Sequence, residues 1–372
     1  MKIAHIITGL GSGGAENTLY KICKYDSYND HFVISLKSGG KYFFLLKKLG
    51  VKVYCLDLKI YSILKLIYLI KLLRFLKPDI VQTWLIHGDL IGGIAARIAG
   101  LKNIIWNIRY SNFEFGKAKL STILIIKILA KLSYLVPKLI IVVSKSAKKT
   151  CKELGYDIKK LYLIPNGYDL SILKPIKNHK LRLKYNIKKT IPLIGKVARY
   201  DIKKDHSNLL SALHLINKKD IKFLCILVGT NIDKNNLFLV NQIKKFKLSN
   251  CVKLLGQKND MTEIMSEIDL LVQSSSYGEG FPNVVAEAMA CGTSCVVTNV
   301  GDAAFIVGNT GWVVPPKNSK KLALAIEKAL FSIKTNSLKK NRQLRLRIKK
   351  KFNLKKMLNQ YKIAWTKIYK IV

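Results

Sequence analysis

Two glutamates in the segment 275–292 lie at the start of what the sequence predicts to be a helix. The segment reads SSYGEGFPNVVAEAMACG, with Glu279 in a glycine-rich loop and Glu287 eight residues later. Pro282 favours the beginning of a helix here, because proline is preferred at the first helical position. Free N–H groups at a helix start attract anions, so residues 281–284 are candidates to hold a diphosphate beside both carboxylates. Two solvated carboxylates are the simpler alternative, and the adjoining glycines and helix start argue against it.

Arg199 and Lys204 form a second candidate pair. They lie in the segment ARYDIKKDH, residues 198–206, directly after an apolar run at 192–198. An arginine in a loop and a lysine at a helix start can converge on the oxygens of one phosphate group. A basic pair is a weak signal in a chain with 65 lysines and arginines, and its position after a predicted strand is what singles out this one.

The first half of the chain contains a glycine loop and an isolated histidine. The loop GLGSGGAE, residues 9–16, follows the opening apolar run, and its glycines let the backbone approach a ligand. Its spacing is not GxGxxG, so a dinucleotide site is weakly supported and a structural turn is an alternative. His87 lies in the segment TWLIHGD, residues 83–89, where a structural histidine is as good an interpretation as a catalytic one.

Strands and helices must bring these residues together. Short apolar runs rich in β-branched residues alternate with longer amphipathic segments, which predicts repeated βαβ units in an α/β protein with doubly wound parallel sheets. Strands are predicted at 3–7, 31–35, 51–55, 80–83, 103–107, 139–143 and 161–164, and later at 192–198, 223–229, 252–255, 270–273 and 294–298. Helices are predicted at 15–24, 62–76, 89–99 and 121–135, and from 332 onward. The candidate residues follow strands, and such sheets bind ligands at the carboxyl ends of their strands.

The length predicts two domains, since 372 residues exceed what one compact core usually holds. An N-terminal domain is expected at 1–175 and a second domain at 185–354, with the basic, motif-poor stretch 171–190 as the linker between them. Hydrophobic residues make up 49% of the chain, which excludes an intrinsically disordered protein. Seven cysteines without a CxxC or a zinc-type spacing predict reduced thiols.

The formal net charge of +43 requires an anionic partner or reflects a compositional bias toward lysine. The segments 59–77 and 117–138 each contain five basic residues and no acidic one, which favours contact with anionic lipid headgroups. Ordinary helices with solvated lysines explain the same pattern. Neither a signal peptide nor an apolar stretch of spanning length is recognisable, so we expect a cytoplasmic protein, peripheral on the inner face of the cell membrane.

The chain resembles the family 4 glycosyltransferases, retaining enzymes of the GT-B fold. The resemblance is carried by GSGGAE at 11–16, NGYD at 166–169, ARYDIKKDH at 198–206 and the two glutamates at 279 and 287. It implies two Rossmann-like domains facing across a cleft, with a C-terminal helix at 355–372 returning to the N-terminal domain. It also implies transfer of a hexose from a UDP- or GDP-linked sugar to a saccharide acceptor in surface-polysaccharide or lipopolysaccharide biosynthesis. A lipid-linked acceptor is common in this family.

The resemblance also implies roles for individual residues. Arg199 and Lys204 would neutralise the leaving diphosphate, Glu279 would contact hydroxyl groups of the donor sugar, and Glu287 would accept from the ribose. His87 would lie near the anomeric centre. Arg109 would bind an acceptor phosphate. The other donor-binding residues would be the loop glycines Gly13 and Gly14, the interdomain-turn residue Asn166, and Gly256, Gln257, Gly280, Phe281, Pro282, Asn283 and Val284.

The departures from the family pattern are few. Ala198 stands where a glycine is common before the arginine, and no DxD motif occurs. We therefore expect no metal and no other cofactor, with cationic side chains and helix dipoles taking the place of a metal at the diphosphate. A GT-B sugar-nucleotide epimerase is the alternative enzyme, disfavoured by ARYDIKKDH. A basic nucleic-acid-binding protein is the alternative from another class, but the chain has no recognisable RNA- or DNA-binding motif, so no specific nucleic-acid partner is expected.

Overall fold

The chain divides into two compact units. A computed structural model describes residues 1–58, 63–110, 120–176, 180–258 and 260–370, without the side chains of 336–340. The first unit comprises Met1–Gly167 together with Leu354–Val372, and the second comprises Tyr168–Asn353. Among the described residues, no helix is both long enough and apolar enough to cross a bilayer.

The first unit is built on a seven-stranded parallel sheet of order β3-β2-β1-β4-β5-β6-β7. Its strands are β1 (Lys2–Ile7), β2 (Asp30–Ser35), β3 (Lys52–Cys55), β4 (Ile80–Trp84), β5 (Ile104–Ile108), β6 (Leu139–Val142) and β7 (Leu161–Leu163). Its helices are α1 (Gly14–Tyr25), α2 (Lys41–Lys48), α3 (Ile63–Leu76), α4 (Leu85–His87), α5 (Gly93–Ile98), α6 (Leu120–Leu132) and α7 (Lys145–Glu153). The central strands β1, β4, β5 and β6 are almost entirely buried because helices cover both faces of the sheet.

The C-terminal helix belongs to the first unit. This helix, α15 (Leu354–Tyr369), buries Met357, Tyr361 and Trp365 in the same cluster as β1 and β4. The Trp365 indole N–H donates to the Gln82 side-chain oxygen at 2.7 Å, which fixes the helix on the sheet. The expected return of the last helix to the N-terminal domain is confirmed.

The second unit contains a six-stranded parallel sheet of order β10-β9-β8-β11-β12-β13. Its strands are β8 (Leu193–Val197), β9 (Leu224–Val228), β10 (Val252–Leu254), β11 (Leu270–Gln273), β12 (Ser294–Thr298) and β13 (Trp312–Val314). Its helices are α8 (Lys180–Lys184), α9 (His206–Asn217), α10 (Leu237–Lys245), α11 (Met261–Glu267), α12 (Asn283–Ala290), α13 (Ala303–Val307) and α14 (Ser319–Lys351). Every strand predicted from the sequence is present, and β13 was not predicted.

The stretch 171–190 is part of the second unit rather than a linker. The Glu267 carboxylate accepts the backbone N–H groups of Leu181 and Arg182, and the Arg182 guanidinium forms a 2.6 Å ion pair with Asp269. These contacts tie α8 to the second sheet, so the basic composition of the stretch was a misleading sign of a linker. The boundary between the units falls between Gly167 and Tyr168, upstream of the expected 175.

Each sheet has one point where the strand order reverses. In the first sheet this point lies between β1 and β4, and in the second it lies between β8 and β11. The loops that follow such a pair of strands leave in opposite directions and open a crevice at the carboxyl edge of the sheet. The candidate residues after β1, β4, β8 and β11 are therefore at the two places where this architecture binds ligands.

Candidate active site

Lys204 and Glu279 meet at the crevice of the second sheet. The loop after β8 carries Lys204 and the loop after β11 carries Glu279, 75 residues away in the chain. The Lys204 Nζ lies 2.6 Å from Glu279 Oε1, with the lysine side chain 27% exposed and the glutamate side chain 11% exposed. The fold thus brings together a cation and a carboxylate from the two segments that the sequence singled out.

Glu279 is held as a carboxylate by its surroundings. Its Oε1 also accepts the Ser275 hydroxyl at 2.6 Å and faces the Gln273 amide nitrogen at 3.5 Å. Burial by itself would raise the pKa of Glu279, but the Lys204 charge and these hydrogen bonds outweigh it and lower the pKa below its usual value. The group is therefore ionised at neutral pH and can accept hydrogen bonds from hydroxyl groups of a ligand.

The backbone around Glu279 is packed against Gly301, which sequence reasoning missed. A Cβ at Gly301 would meet the carbonyl oxygen of Glu279, only 2.4 Å away, and this glycine has a φ of +61°. The Asp302 N–H donates to the Gly280 carbonyl at 2.9 Å. Only glycine suits this close approach at a left-handed φ, so the turn after β12 clamps the loop that carries Glu279. The position of Gly301, three residues after the predicted strand 294–298, was the available signal.

The helix that follows Glu279 begins one residue later than expected. Pro282 is the N-cap of α12, with φ −70° and ψ 96°, and Asn283 is the first helical residue. The first N–H groups of a helix have no acceptor within the helix, and those of Asn283 and Val284 lie at this edge of the sheet. Phe281 is 7% exposed and its ring packs on Tyr168 and Phe352, which leaves its backbone as the part that a donor could contact. Glu287 is partly exposed on α12.

Arg199 is not paired with the Lys204–Glu279 site in this structure. Its guanidinium donates from Nη2 and Nε to the Asp201 carboxylate at 2.8 and 3.1 Å, and its side chain is 65% exposed. Burial alone would raise the pKa of Asp201, but the Lys203 N–H and Arg199 lower it, so this ion pair is charged at neutral pH. The expected convergence of Arg199 and Lys204 on one phosphate would require the arginine to leave Asp201.

Gly256 and Gln257 follow β10 at the same edge of the sheet. The Gly256 carbonyl accepts from the Gly229 N–H at 2.9 Å, and its own N–H donates to Ile232 at 2.8 Å. The Gln257 side-chain oxygen accepts the Thr230 hydroxyl at 3.3 Å on an exposed loop. Their predicted contact with the donor stays a prediction.

The glycine loop of the first unit ends at the start of α1. Gly13 is the N-cap and Gly14 is the first helical residue. The Glu16 carboxylate folds back over this helix start, since a Cβ at Gly13 would lie 2.5 Å from Glu16 Oε2. An anionic ligand at this helix start would have to displace the Glu16 carboxylate.

His87 lies at the crevice of the first sheet, between the ends of β1 and β4, where the glycine loop also lies. It is exposed at the end of α4, directly after β4. The next residue, Gly88, approaches the end of β1 so closely that a Cβ there would lie 3.0 Å from the Ile6 carbonyl oxygen. The two candidate segments of the first half therefore meet where the strand order reverses.

Arg109 and Asn166 belong to a network inside the first unit. Arg109 donates to the Asn166 side-chain oxygen at 2.5 Å and to the Tyr361 hydroxyl at 3.1 Å, and its guanidinium lies 5.1 Å from the Trp84 ring centre. Asn166 also accepts the Thr18 hydroxyl at 3.2 Å. These contacts join the residue after β5 and the loop after β7 to α1 and α15. The acceptor role of Arg109 and the donor role of Asn166 stay predictions.

Two family models match the chain, one on each unit. The model described as Glycosyltransferase Family 4 matches residues 12–172, and the model described as Glycosyl transferases group 1 matches residues 177–350. Between them they include Gly13, Gly14, Lys204 and both glutamates. The chain belongs to glycosyltransferase family 4. The family predicted from the sequence motifs is confirmed.

This glycosyltransferase is similar to curated enzymes over most of its length. It is 29% identical over 305 residues to UDP-Gal:alpha-D-GlcNAc-diphosphoundecaprenol alpha-1,3-galactosyltransferase of Escherichia coli, covering 80% of this chain and 77% of the relative. It is 28% identical over 296 residues to N,N'-diacetylbacillosaminyl-diphospho-undecaprenol alpha-1,3-N-acetylgalactosaminyltransferase of Campylobacter jejuni, covering 75% of this chain and 76% of the relative.

Solved structures show the fold of the glycosyltransferase. HepE of Anabaena, crystallised with UDP, has a TM-score of 0.86 at 21% identity and covers 99% of this chain and 100% of HepE. Sucrose-phosphate synthase of Thermosynechococcus elongatus has a TM-score of 0.83 at 16% identity and covers 100% of both chains. The GT-B fold expected from the sequence is confirmed.

Proposed function

We propose that this glycosyltransferase transfers a hexose from a UDP-sugar to a saccharide on a lipid diphosphate during synthesis of a surface polysaccharide. The observation that carries the proposal is the Lys204–Glu279 pair beside the start of α12 at the carboxyl edge of the second sheet. The names of the two curated relatives support the acceptor, since both act on saccharides joined to a diphospho-undecaprenol. UDP-Gal in the name of the E. coli enzyme favours UDP over GDP.

The proposed chemistry follows from the charges at this edge. The donor diphosphate lies against the N–H groups of Asn283 and Val284, and the Lys204 ammonium balances the charge that develops as the sugar leaves. Glu279 accepts hydrogen bonds from hydroxyl groups of the sugar. Arg199 turns from Asp201 to the diphosphate. These cations and the helix start supply the charge that a metal would otherwise bring, so we propose a metal-independent reaction.

The proposed stereochemistry is retention of the anomeric configuration. The acceptor hydroxyl attacks the face from which the diphosphate leaves, and a leaving phosphate oxygen takes the hydroxyl proton. The α-linkages in the names of both relatives support this proposal. The anomer of the product, read by NMR after transfer from an α-linked UDP-hexose, tests it, and a β product would reject it.

The proposed membrane surface lies on α3 and α6 of the first unit. It combines exposed apolar side chains with the basic residues noted in the sequence, so it is more apolar than the charge pattern indicated. The exposed apolar residues are Ile63, Leu64, Ile67, Tyr68, Phe75, Leu120, Leu124 and Ile128. Exposed Lys71, Arg74, Lys127 and Lys131 lie on the same helices. Such a mixture suits the headgroup region of an anionic bilayer, where a lipid-linked acceptor resides. Residues 59–62 and 117–119 of these segments lie outside the described residues.

A transfer assay with a matched pair of variants tests the proposed function. The purified protein is given a panel of UDP- and GDP-hexoses with a polyprenyl-diphosphate-linked N-acetylhexosamine as acceptor. Glu279→Gln should reduce turnover on the order of a hundredfold, because the amide keeps the shape but loses the charge. The control Glu153→Gln changes a carboxylate that is 61% exposed on α7 and should leave turnover unchanged. Equal turnover by Glu279→Gln and the parent would reject the assignment.

A further inference from the structure

Lys196 is a buried lysine beneath the loop that carries Lys204. It lies in β8 with only 2% of its surface exposed. Its Nζ donates to the Lys204 carbonyl oxygen and to the Ser274 hydroxyl, both at 2.6 Å. Among the residues that the structure describes, this ammonium forms no ion pair. Burying a charge against neutral oxygens is costly, so its presence in an apolar strand calls for an explanation.

The backbone of this loop is held from two neighbouring strands. Residues Ile202–Lys204 form a single 3-10 turn that ends at Asp205, which has a left-handed φ of +46°. The Ser274 hydroxyl, at the end of β11, donates to the Asp205 carbonyl at 2.8 Å. Lys196 and Ser274 therefore hold the successive carbonyl groups of Lys204 and Asp205. These hydrogen bonds help to keep Asp205 in a left-handed conformation, which costs energy in a residue other than glycine. The side chain of Lys204 then starts from a fixed point and reaches Glu279.

We propose that Lys196 is a positioning residue of the donor-diphosphate site, which holds Lys204 in place and supplies a further buried positive charge that a nucleoside diphosphate neutralises. This inference rests on the function proposed above, since it assumes that the diphosphate lies at Lys204. It assigns to Lys196 a role that the sequence motifs did not indicate, because a lysine in a chain so rich in lysine carries no signal.

The charged and titratable groups around Lys196 support this role. The pKa of Lys196 is lowered mainly by burial, and the charge of Lys204 lowers it further. Asp205, Glu279 and the Cys225 thiol raise it. The resulting pKa is about 7. His206 packs nearby as a neutral ring, because burial and the charges of Lys196 and Lys204 hold its pKa far below the usual value. A bound diphosphate raises the pKa of Lys196. Binding therefore takes up a proton at a pH where the Lys196 amine of the ligand-free protein is neutral.

Proton uptake on binding of UDP is the measurement that tests the inference. Calorimetric titration at pH 8 in two buffers of different ionisation enthalpy gives the number of protons taken up, with the phosphates of UDP fully ionised. The parent should take up close to one proton per UDP, and its Kd should rise by up to roughly tenfold per pH unit above pH 7. Lys196→Met should take up none, bind UDP more weakly at pH 7 and show a flat pH dependence above it.

Lys196→Met should fold, since methionine fills a similar volume without a buried charge and Ser274 still holds the Asp205 carbonyl. The exposed Lys222→Met is the matched control and should behave as the parent does. UDP binding by the parent without proton uptake, or the same uptake by Lys196→Met, would overturn the inference and leave the proposed function standing. If the parent binds neither UDP, GDP nor their sugars, the proposed function fails and the inference with it. UDP binding by the parent without proton uptake overturns the inference even where no variant folds.

Discussion

The pairing of Lys204 with Glu279 predicts a stability effect that depends on pH. Lys204→Met removes the cation beside the Glu279 carboxylate, whose side chain is 11% exposed, and leaves the hydrogen bonds from Ser275 and Gln273 in place. Removing one partner of a fully buried ion pair costs about 3–5 kcal/mol. Since Lys204 is 27% exposed, water replaces part of the lost interaction, and we expect about 2 kcal/mol at pH 7.

The sign of the pH dependence follows from the pKa of Glu279. In the parent this pKa is lowered, so the pair stabilises the protein above the unfolded pKa and the stabilisation is lost as the pH falls through the folded pKa. In Lys204→Met burial raises the pKa of Glu279, so the carboxylate becomes protonated at a higher pH and its burial cost disappears. The difference in unfolding free energy between parent and variant should therefore shrink from pH 7 toward pH 4.

Chemical denaturation at both pH values, combined with a double-mutant cycle, measures this effect. The double variant Lys204→Met with Glu279→Gln should recover most of the stability lost at pH 7, because no unpaired charge is left buried. Lys203→Met, an exposed neighbour with the same change of charge, should stay within about 0.5 kcal/mol of the parent. A loss that is equal at both pH values, or a double variant no more stable than Lys204→Met, would refute the reasoning.

Three further predictions concern the arginine, the clamp and the membrane surface. Arg199→Lys should reduce the rate of transfer roughly tenfold or more, because a lysine cannot make two parallel hydrogen bonds to a phosphate. The activity of the parent should persist in EDTA, and a requirement for Mg²⁺ or Mn²⁺ would contradict a metal-independent reaction. Gly301→Ala should lower stability by about 2 kcal/mol or more in denaturation, whereas Gly155→Ala, also at positive φ but with open space around its Cβ, should cost about 1 kcal/mol; equal costs would argue against the clamp. Replacing Ile63, Leu64 and Phe75 by serine should weaken sedimentation with anionic vesicles, while the same change at the exposed Leu237 and Phe238 of the second unit should not; unchanged binding by the first variant would show that α3 is only a solvated helix.

The sequence predicts most strands of both sheets because parallel strands covered on both faces are nearly continuous apolar runs. β13 escapes prediction because its apolar run, 312–314, is enclosed by Gly311 and Pro315 and is one residue shorter than the predicted runs 161–164 and 252–255. The stretch 171–190 misleads because its lysines suggest a linker, whereas the contacts of Glu267 and Asp269 that hold it come from distant parts of the chain.

The residues of the candidate site likewise fall into those that the sequence could predict and those that it could not. The meeting of Lys204 and Glu279 could be anticipated because both follow strands, and strand ends of a parallel sheet share one edge. The roles of Lys196 and Gly301 could not, since they depend on which carbonyl oxygen each residue approaches in the folded chain. The Asp201 contact of Arg199 and the Asn166 contact of Arg109 are likewise set by packing and leave no pattern in the sequence.

A crystal structure with bound UDP shows directly where the donor diphosphate lies. The diphosphate should contact the Lys204 ammonium and the backbone N–H groups of Asn283 and Val284, with Arg199 moved away from Asp201. Diphosphate density at any other edge of the second sheet, with the Arg199–Asp201 pair intact and Lys204 beyond hydrogen-bonding distance, would contradict this placement.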